Sequence, residues 1–346
     1  MNKLRVIQWA TGKVGEIALR AVMDDPKLEL VGVHVYAEDK VGRDAGELCG
    51  REACGVRATN RIDELLALDA DTVIYTPFLA DVPQVVQLLE SGLDVISTNL
   101  FANVGGVQGE VKSQLQAACE RGGSSLYVTG VHPGWANSML LALTGVCRRV
   151  DRVSVFESAD CSEYESPETW RALGLSLPEA TPEVEGAARA SLLSFADTTR
   201  RMAEAMELKL DDLRFSVEFA KASETVDLGW FCMKQGTIAA IRGGWDGVVD
   251  GRVVVRTRVA WYLTDQLIEG WTFDDDHYHL VVDGDPGVEC RVRFISPAYW
   301  GPNETLITTA MPAVNAIFDV KAAAPGILSL QGAGLAAAPT GRWLQR

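Results

Sequence analysis

The N-terminal residues constrain the fold more than any other part of the chain. An apolar stretch, Leu4-Arg5-Val6-Ile7-Gln8-Trp9, runs directly into Ala10-Thr11-Gly12-Lys13-Val14-Gly15. Beyond it, Val14, Ile17, Ala18, Ala21 and Val22 recur at the spacing of one helix face, and Asp24-Asp25-Pro26 closes that helix. Strand, tight turn and helix in this order form a dinucleotide-binding unit. Gly12 lets the backbone approach a pyrophosphate, Gly15 lets the helix pack closely on the strand, and N–H groups at the helix start face the phosphates. The first fingerprint position is Ala10, so the motif reads A-x-G-x-x-G; alone, it does not separate a cofactor turn from an ordinary strand-to-helix turn.

The context separates them. A second strand at 28–36 completes a β-α-β unit, and the alternation continues with a helix at 60–68 capped by Asn60, a strand at 72–75 and a helix at 82–91 closed by Gly92. A strand at 94–98, a helix at 110–121 and a strand at 124–129 follow. This grammar predicts an α/β fold with a Rossmann-type, doubly wound parallel sheet, whose ligands bind at the carboxyl ends of the strands. Those ends are Ala10-Thr11-Gly12, Tyr36-Ala37-Glu38, Thr76-Pro77-Phe78, Thr98-Asn99-Leu100 and Gly130-Val131-His132-Pro133-Gly134. The expected ligand is a nicotinamide cofactor, NADP or NAD, held by Ala10, Thr11, Gly12, Lys13, Val14 and Gly15, with Thr76, Pro77, Thr98 and Asn99 on neighbouring strand ends. Glu38 and Asp39 stand where an acid holds the ribose hydroxyls of NAD, whereas Lys40 and Arg43 can neutralise the extra phosphate of NADP; the balance leans to NADP.

Charge and composition narrow the partners. A net charge of −15 disfavours nucleic acid and anionic membrane, since both require a basic surface. With no run of 18 apolar residues and an N-terminus that reads straight into a core strand, neither a spanning helix nor a signal peptide is expected. Seven cysteines without recurring close pairs read as reduced thiols of a cytoplasmic protein, and the pair Cys49 and Cys54 makes no zinc site by itself. The expected partner is therefore a small-molecule substrate.

Around Val150 the pattern changes. A strand begins at Val153-Ser154-Val155-Phe156, an irregular stretch covers 158–182, and one long helix is expected over 185–206 with Leu192, Ala196, Thr199, Ala203 and Met206 buried. Strands then follow without helices between them: 214–219, 236–241, 248–249 and 253–263, the last two joined by Asp250-Gly251, and finally 277–282 and 288–295. This predicts a dinucleotide-binding domain at 1–134 and an α+β substrate and oligomerisation domain at 135–305 with a mostly antiparallel sheet. A helical return at 306–346 rejoins the first domain. A cleft between the domains is the expected place for substrate.

Four segments together resemble the dihydrodipicolinate-reductase-like oxidoreductases, the group that includes 2,4-diaminopentanoate dehydrogenase and the native amine dehydrogenases. They are Val6-Ile7-Gln8-Trp9-Ala10-Thr11-Gly12-Lys13-Val14-Gly15, Asp39-Lys40-Val41-Gly42-Arg43-Asp44-Ala45-Gly46-Glu47-Leu48, Gly130-Val131-His132-Pro133-Gly134-Trp135 and Thr309-Ala310-Met311-Pro312-Ala313-Val314-Asn315-Ala316-Ile317. The resemblance implies NAD(P)-dependent hydride transfer at a C–N bond, a homodimer formed through the second domain's sheet, and a place for Asn315 beside the cofactor. The chain departs from the group twice. It has no adjacent His pair, and the glutamate that the amine-forming members carry after the strand ending Ser97-Thr98 is replaced by Asn99-Leu100-Phe101-Ala102-Asn103. Glu110, the next acid, falls in the following helix.

Other groups must then handle protons. His132 is either a donor to a polar substrate or a structural hydrogen bond beside Pro133. Glu157, Asp160, Glu163, Tyr164 and Glu165 crowd the end of the second domain's first strand. Tyr164 with Glu163 is the pair expected to protonate a developing anion, against the alternative of a solvated acidic loop. Trp135 and Trp170 form an apolar wall or are simply core. His277 and His279 beside Asp274-Asp275-Asp276 read as an exposed strand start, with no metal site expected. The leading expectation is an NAD(P)H-dependent oxidoreductase acting on a fairly apolar carbonyl, imine or activated alkene. An amine dehydrogenase and a cofactor-binding sensor without turnover are the alternatives.

Overall fold

The computed structural model describes residues 3–99, 105–274, 277–298 and 304–330. They form two units, one from Met1–Ser138 with Leu306–Arg346 and the other from Met139–Thr305. In chain order the first contains β1 (Leu4–Trp9), α1 (Lys13–Asp24), β2 (Leu28–His34), α2 (Ala45–Leu48), β3 (Ala58–Thr59), α3 (Ile62–Leu66), β4 (Thr72–Tyr75) and α4 (Val82–Glu90). It continues through β5 (Asp94–Ser97), α5 (Gly109–Gly122) and β6 (Ser125–Val128) to α6 (Ala136–Leu143), within which the division falls. The second unit holds β7 (Arg149–Asp160), α7 (Pro167–Ala172), α8 (Pro182–Ser191), α9 (Leu193–Ala205), β8 (Asp212–Lys221), β9 (Val226–Asp227) and β10 (Cys232–Met233). After β11 (Ile238–Val249), β12 (Arg252–Tyr262), β13 (Tyr278–Asp285) and β14 (Val288–Val292), the chain returns to the first unit as α10 (Ile307–Asn315), α11 (Ile317–Ala322) and β15 (Gly326–Ile327).

The first sheet is parallel throughout, in the order β15-β6-β5-β4-β1-β2-β3. Strand order reverses at β1, which puts the switch point between the carboxyl ends of β1 and β4. Helices cover both faces, so the strands are apolar on both. Val6, Ile74, Ile96 and Tyr127 pack with α1, α10 and α11, while Ile7, Trp9, Val73, Tyr75 and Val95 pack with α4 and α5. Burial of Ile17, Leu19 and Val22 anchors α1 to the sheet, each side chain contributing about 1.5–3 kcal/mol. One boundary differs from expectation: α3 starts at Ile62, and Asn60 does not cap it because its amide donates to Glu38 Oε1 at 3.0 Å.

The second sheet runs β14-β13-β7-β12-β11-β8 and is antiparallel except for the pair β7 and β12. The stretch expected to be irregular is partly regular, since β7 extends to Asp160 and α7 follows. The expected long helix is two. Leu192 sits at φ −96° and ψ 16°, and its carbonyl accepts the indole N–H of Trp245 at 2.8 Å and the N–H of Phe195 at 3.1 Å, which breaks the ladder between α8 and α9. The strands expected at 236–241 and 248–249 are one, β11, crossing Gly244, where a Cβ would lie 2.0 Å from Thr257 O. Asp250 and Gly251 turn into β12 with φ of 49° and 75°, the doubly left-handed geometry of a two-residue hairpin.

His34 carries a testable consequence of burial at the end of β2. Its ring stacks on Trp9 at 4.1 Å and 4° between planes, and desolvation lowers its pKa from 6.5 to about 4, partly offset by a backbone hydrogen bond to Asn60. The unfolded chain therefore binds a proton below pH 6.5 that the folded chain refuses until pH 4. Stability is fully present above pH 6.5 and falls as the pH drops towards 4, by up to roughly 3 kcal/mol. Melting curves between pH 7.5 and 4.5 should show a shallower acid loss for His34→Phe than for the parent; equal slopes would contradict this assignment.

Candidate active site

The phosphate turn is built from Gln8 upward. Gln8 lies beneath the turn, fully buried, and its amide donates to Ala10 O and to Thr76 Oγ1, each at 2.9 Å. Thr76 Oγ1 donates in turn to Trp9 O at 2.9 Å, which ties the carboxyl ends of β1 and β4 together. Ala10 adopts φ 71°, so the fingerprint position that lacks glycine is in the left-handed region that glycine occupies without strain. Thr11 is buried.

The two glycines that remain do different work. A Cβ on Gly15 would fall 2.3 Å from Ala10 O and 2.8 Å from Thr76 Oγ1, so only glycine permits this helix–strand approach. Gly12 caps α1 at φ −79° and ψ −176°, which any residue adopts, and a Cβ there meets nothing within 4 Å. Its lack of a side chain therefore keeps open the space in front of the helix start, where first-turn N–H groups have no acceptor within the helix. That open cradle fits a dinucleotide pyrophosphate. Lys13 is exposed on the first turn, and Val14 is half-buried against the core under α1.

Lys40 belongs to this turn. Its Nζ donates to Thr11 O at 2.8 Å and Thr11 Oγ1 at 3.2 Å and lies 3.8 Å from Glu16, so it latches the segment after β2 onto the phosphate turn. Arg43 is exposed. Pro77 is buried and Thr98 half-buried at the ends of β4 and β5, and Asn99 braces the loop after β4 by donating to Pro77 O at 3.1 Å and Phe78 O at 2.9 Å. Residues Leu100, Phe101, Ala102 and Asn103 lie outside the described residues. Asn315 ends α10, which packs on α1.

Sequence reasoning missed an aromatic network beside the switch point. Trp9 Nε1 at 2.8 Å, Tyr36 OH at 2.9 Å and Tyr75 OH at 3.2 Å all donate to Gln84 Oε1, and Asp81 N donates to Tyr75 OH at 3.1 Å. Burial raises both phenols' pKa. Tyr36 at 54%, Phe78 at 78% and Leu79 at 60% exposure leave apolar surface at the carboxyl ends of β2 and β4. Large apolar residues directly after strand ends were the signal in the sequence.

His132 is half-buried in the turn Val131–Trp135 that follows β6, where Asn137 Oδ1 accepts Gly134 N at 2.8 Å. In the second unit, Tyr164 packs edge-on against Trp170 at 5.6 Å, and burial raises its phenol pKa. Glu163 is exposed, and no hydrogen bond joins it to Tyr164. Trp170 is core. His277 Nδ1 accepts Phe294 N at 3.2 Å, and His279 Nε2 lies 3.0 Å from Glu289. Among the described residues no three His, Cys, Asp or Glu side chains group to hold a metal; Asp275 and Asp276 are outside them. Nor is any described helix long and apolar enough to cross a membrane.

The family described as dihydrodipicolinate reductase, N-terminus, matches residues 6–94, which carry β1 to β4 and the phosphate turn. Fold and turn together define an NAD(P)-dependent oxidoreductase. An amine dehydrogenase of Streptomyces virginiae is 30% identical over 310 residues, covering 84% of this chain and 85% of the relative. The chain belongs to the amine dehydrogenase family, within the dihydrodipicolinate-reductase-like oxidoreductases. The fold of an amine dehydrogenase from Mycobacterium smegmatis superposes with a TM-score of 0.77 at 19% identity over 97% of both chains. Biliverdin reductase from Synechocystis sp. PCC 6803, solved with biliverdin and NADP+, matches at a TM-score of 0.51 and 12% identity, covering 95% of this chain and 94% of its own.

Proposed function

We propose that the protein reduces the carbon–nitrogen double bond formed from ammonia and a fairly apolar aldehyde or ketone, and catalyses the reverse oxidation of the amine. The observation that supports this most is 30% identity to an amine dehydrogenase along 84% of the chain. When bound, the nicotinamide supplies the hydride. Gly12, Lys13, Val14 and Gly15 would hold the pyrophosphate, with Ala10, Thr11, Thr76, Pro77, Thr98 and Asn99 around the turn and Asn315 on the returning helix. Tyr164 and His132 are the groups proposed to give a proton or hydrogen bond to the oxygen that leaves. A homodimer or higher homo-oligomer and a cytoplasmic location belong to the same reading. Assaying NADPH and NADH oxidation with aldehydes and ketones, with and without ammonium, tests it.

The cofactor preference we propose is NADP. Lys40 is engaged with Thr11 and acts through the turn, which leaves the exposed Arg43 as the group to meet the additional phosphate. Arg43→Ala should weaken NADPH about tenfold and spare NADH, one charge-assisted contact being lost. Lys40→Ala should weaken both cofactors alike. Calorimetric titration reads this directly; tighter binding of NADH than NADPH by the parent protein would overturn the preference.

A further inference from the structure

Two helix ends in the second unit bring three cations to one cavity. At the break between α8 and α9, Trp245 holds the carbonyl of Leu192 with its N–H and carries Arg189 on its ring, the guanidinium lying 5.0 Å from the indole centroid and 5.8 Å from that of Phe215. Beyond α9, Glu207 enters the left-handed region at φ 58° and Leu208 N returns to Ala203 O at 2.8 Å. This helix ending folds the chain back, so that Leu208, Lys209 and Leu210 line the same cavity as Arg189 and as Arg200 on α9. The cavity has a volume of about 710 Å³. Its apolar lining is Leu193, Leu208, Leu210 and Leu213, all half-buried, together with the buried Trp245.

The positive charge here is not spent within the protein. Three acids share the lining, and each is engaged: Asp211 accepts Asp250 N at 2.7 Å, Asp212 accepts Arg214 Nε at 3.0 Å and Leu213 N at 2.8 Å, and Glu204 has a partner of its own. Among the described residues no carboxylate pairs with Arg189, Arg200 or Lys209, although Arg200 is half-buried and the chain carries a net charge of −15. The volume and the apolar walls with a few converging polar groups are those of a small-molecule site. A guanidinium fork matches the two oxygens of a carboxylate, and leucine and indole surfaces gain only from covering an apolar body. An uncharged lipid would leave the cations unused, and a small inorganic anion would leave the leucines wet.

We propose that this cavity binds a small carboxylate with an apolar chain, its anionic end held by Arg200 with Arg189 and Lys209 beside it and its chain lying on the leucines. The site is separate from the residues assigned to the reaction above and does not depend on that reading. Isothermal titration of sodium octanoate into the full-length protein tests it. The parent should bind octanoate, and Arg200→Gln should weaken it about tenfold or more, the loss of one charge-assisted contact, with NADPH affinity unchanged. Sodium acetate, which has the anion without the chain, should bind at least about tenfold more weakly than octanoate. 1-Octanol, which has the chain without the anion, should not discriminate between parent and Arg200→Gln. Should Arg200→Gln fail to fold, Lys209→Glu, a charge reversal on an exposed side chain, supplies the same comparison. Equal octanoate affinity in parent and variant, or none in the parent, overturns the assignment. Acetate binding as tightly as octanoate, or 1-octanol losing affinity in the variant as octanoate does, overturns it as well.

Discussion

Replacing Gly12 with aspartate is expected to abolish binding of both NADPH and NADH while leaving the protein folded. The two halves of this result have separate causes. Gly12 has ordinary extended backbone angles and a Cβ there touches nothing, so the larger residue is accommodated; at the cap of α1 an aspartate even favours the helix. The same side chain fills the open space before the helix start and sets a negative charge against a pyrophosphate, on the helix end that otherwise favours anions. Thermal melting within a few degrees of the parent, together with at least about 100-fold weaker cofactor affinity by calorimetry, is the predicted outcome. A folded Gly12→Asp variant with parental affinity would remove the cofactor from this turn.

Tyr164→Phe carries the second large effect. The ring's edge-on contact with Trp170 survives the change, so packing is kept and only the hydroxyl is lost. Burial raises the phenol's pKa, so the hydroxyl stays protonated at neutral pH and acts as a hydrogen-bond donor to a developing anion more readily than as a full proton donor. Loss of one positioned acid typically costs about 100-fold to 10,000-fold in turnover. Steady-state kinetics should show that drop in kcat at unchanged cofactor affinity. Parental turnover in Tyr164→Phe would pass the role to His132.

The fold was legible wherever local pattern and burial agree. Apolar strands such as Thr72–Tyr75, helices closed by Gly92 or Pro26 and the hairpin at Asp250-Gly251 follow from periodicity and turn chemistry. The break at Leu192 was not legible, because the indole that takes its carbonyl lies 53 positions away at Trp245. The merging of β11 across its glycines has the same character: sequence shows flexible residues, and only the neighbouring Thr257 carbonyl explains why they are there. At the site, Gly12 and Gly15 were visible from spacing, but the division of labour between them required the packing around each. Lys40 was read as a phosphate ligand from its position alone, whereas its hydrogen bonds to Thr11 give it a part in shaping the turn.

Ammonium dependence of the reaction tests whether this chain takes up ammonia and a carbonyl compound and reduces the carbon–nitrogen double bond formed from them. Purified protein with saturating NADPH and a panel of apolar aldehydes and ketones should oxidise the cofactor only when ammonium chloride is present, saturably, with the primary amine recovered as product. Oxidation at the same rate without ammonium, yielding the alcohol, would rule out reductive amination as the reaction.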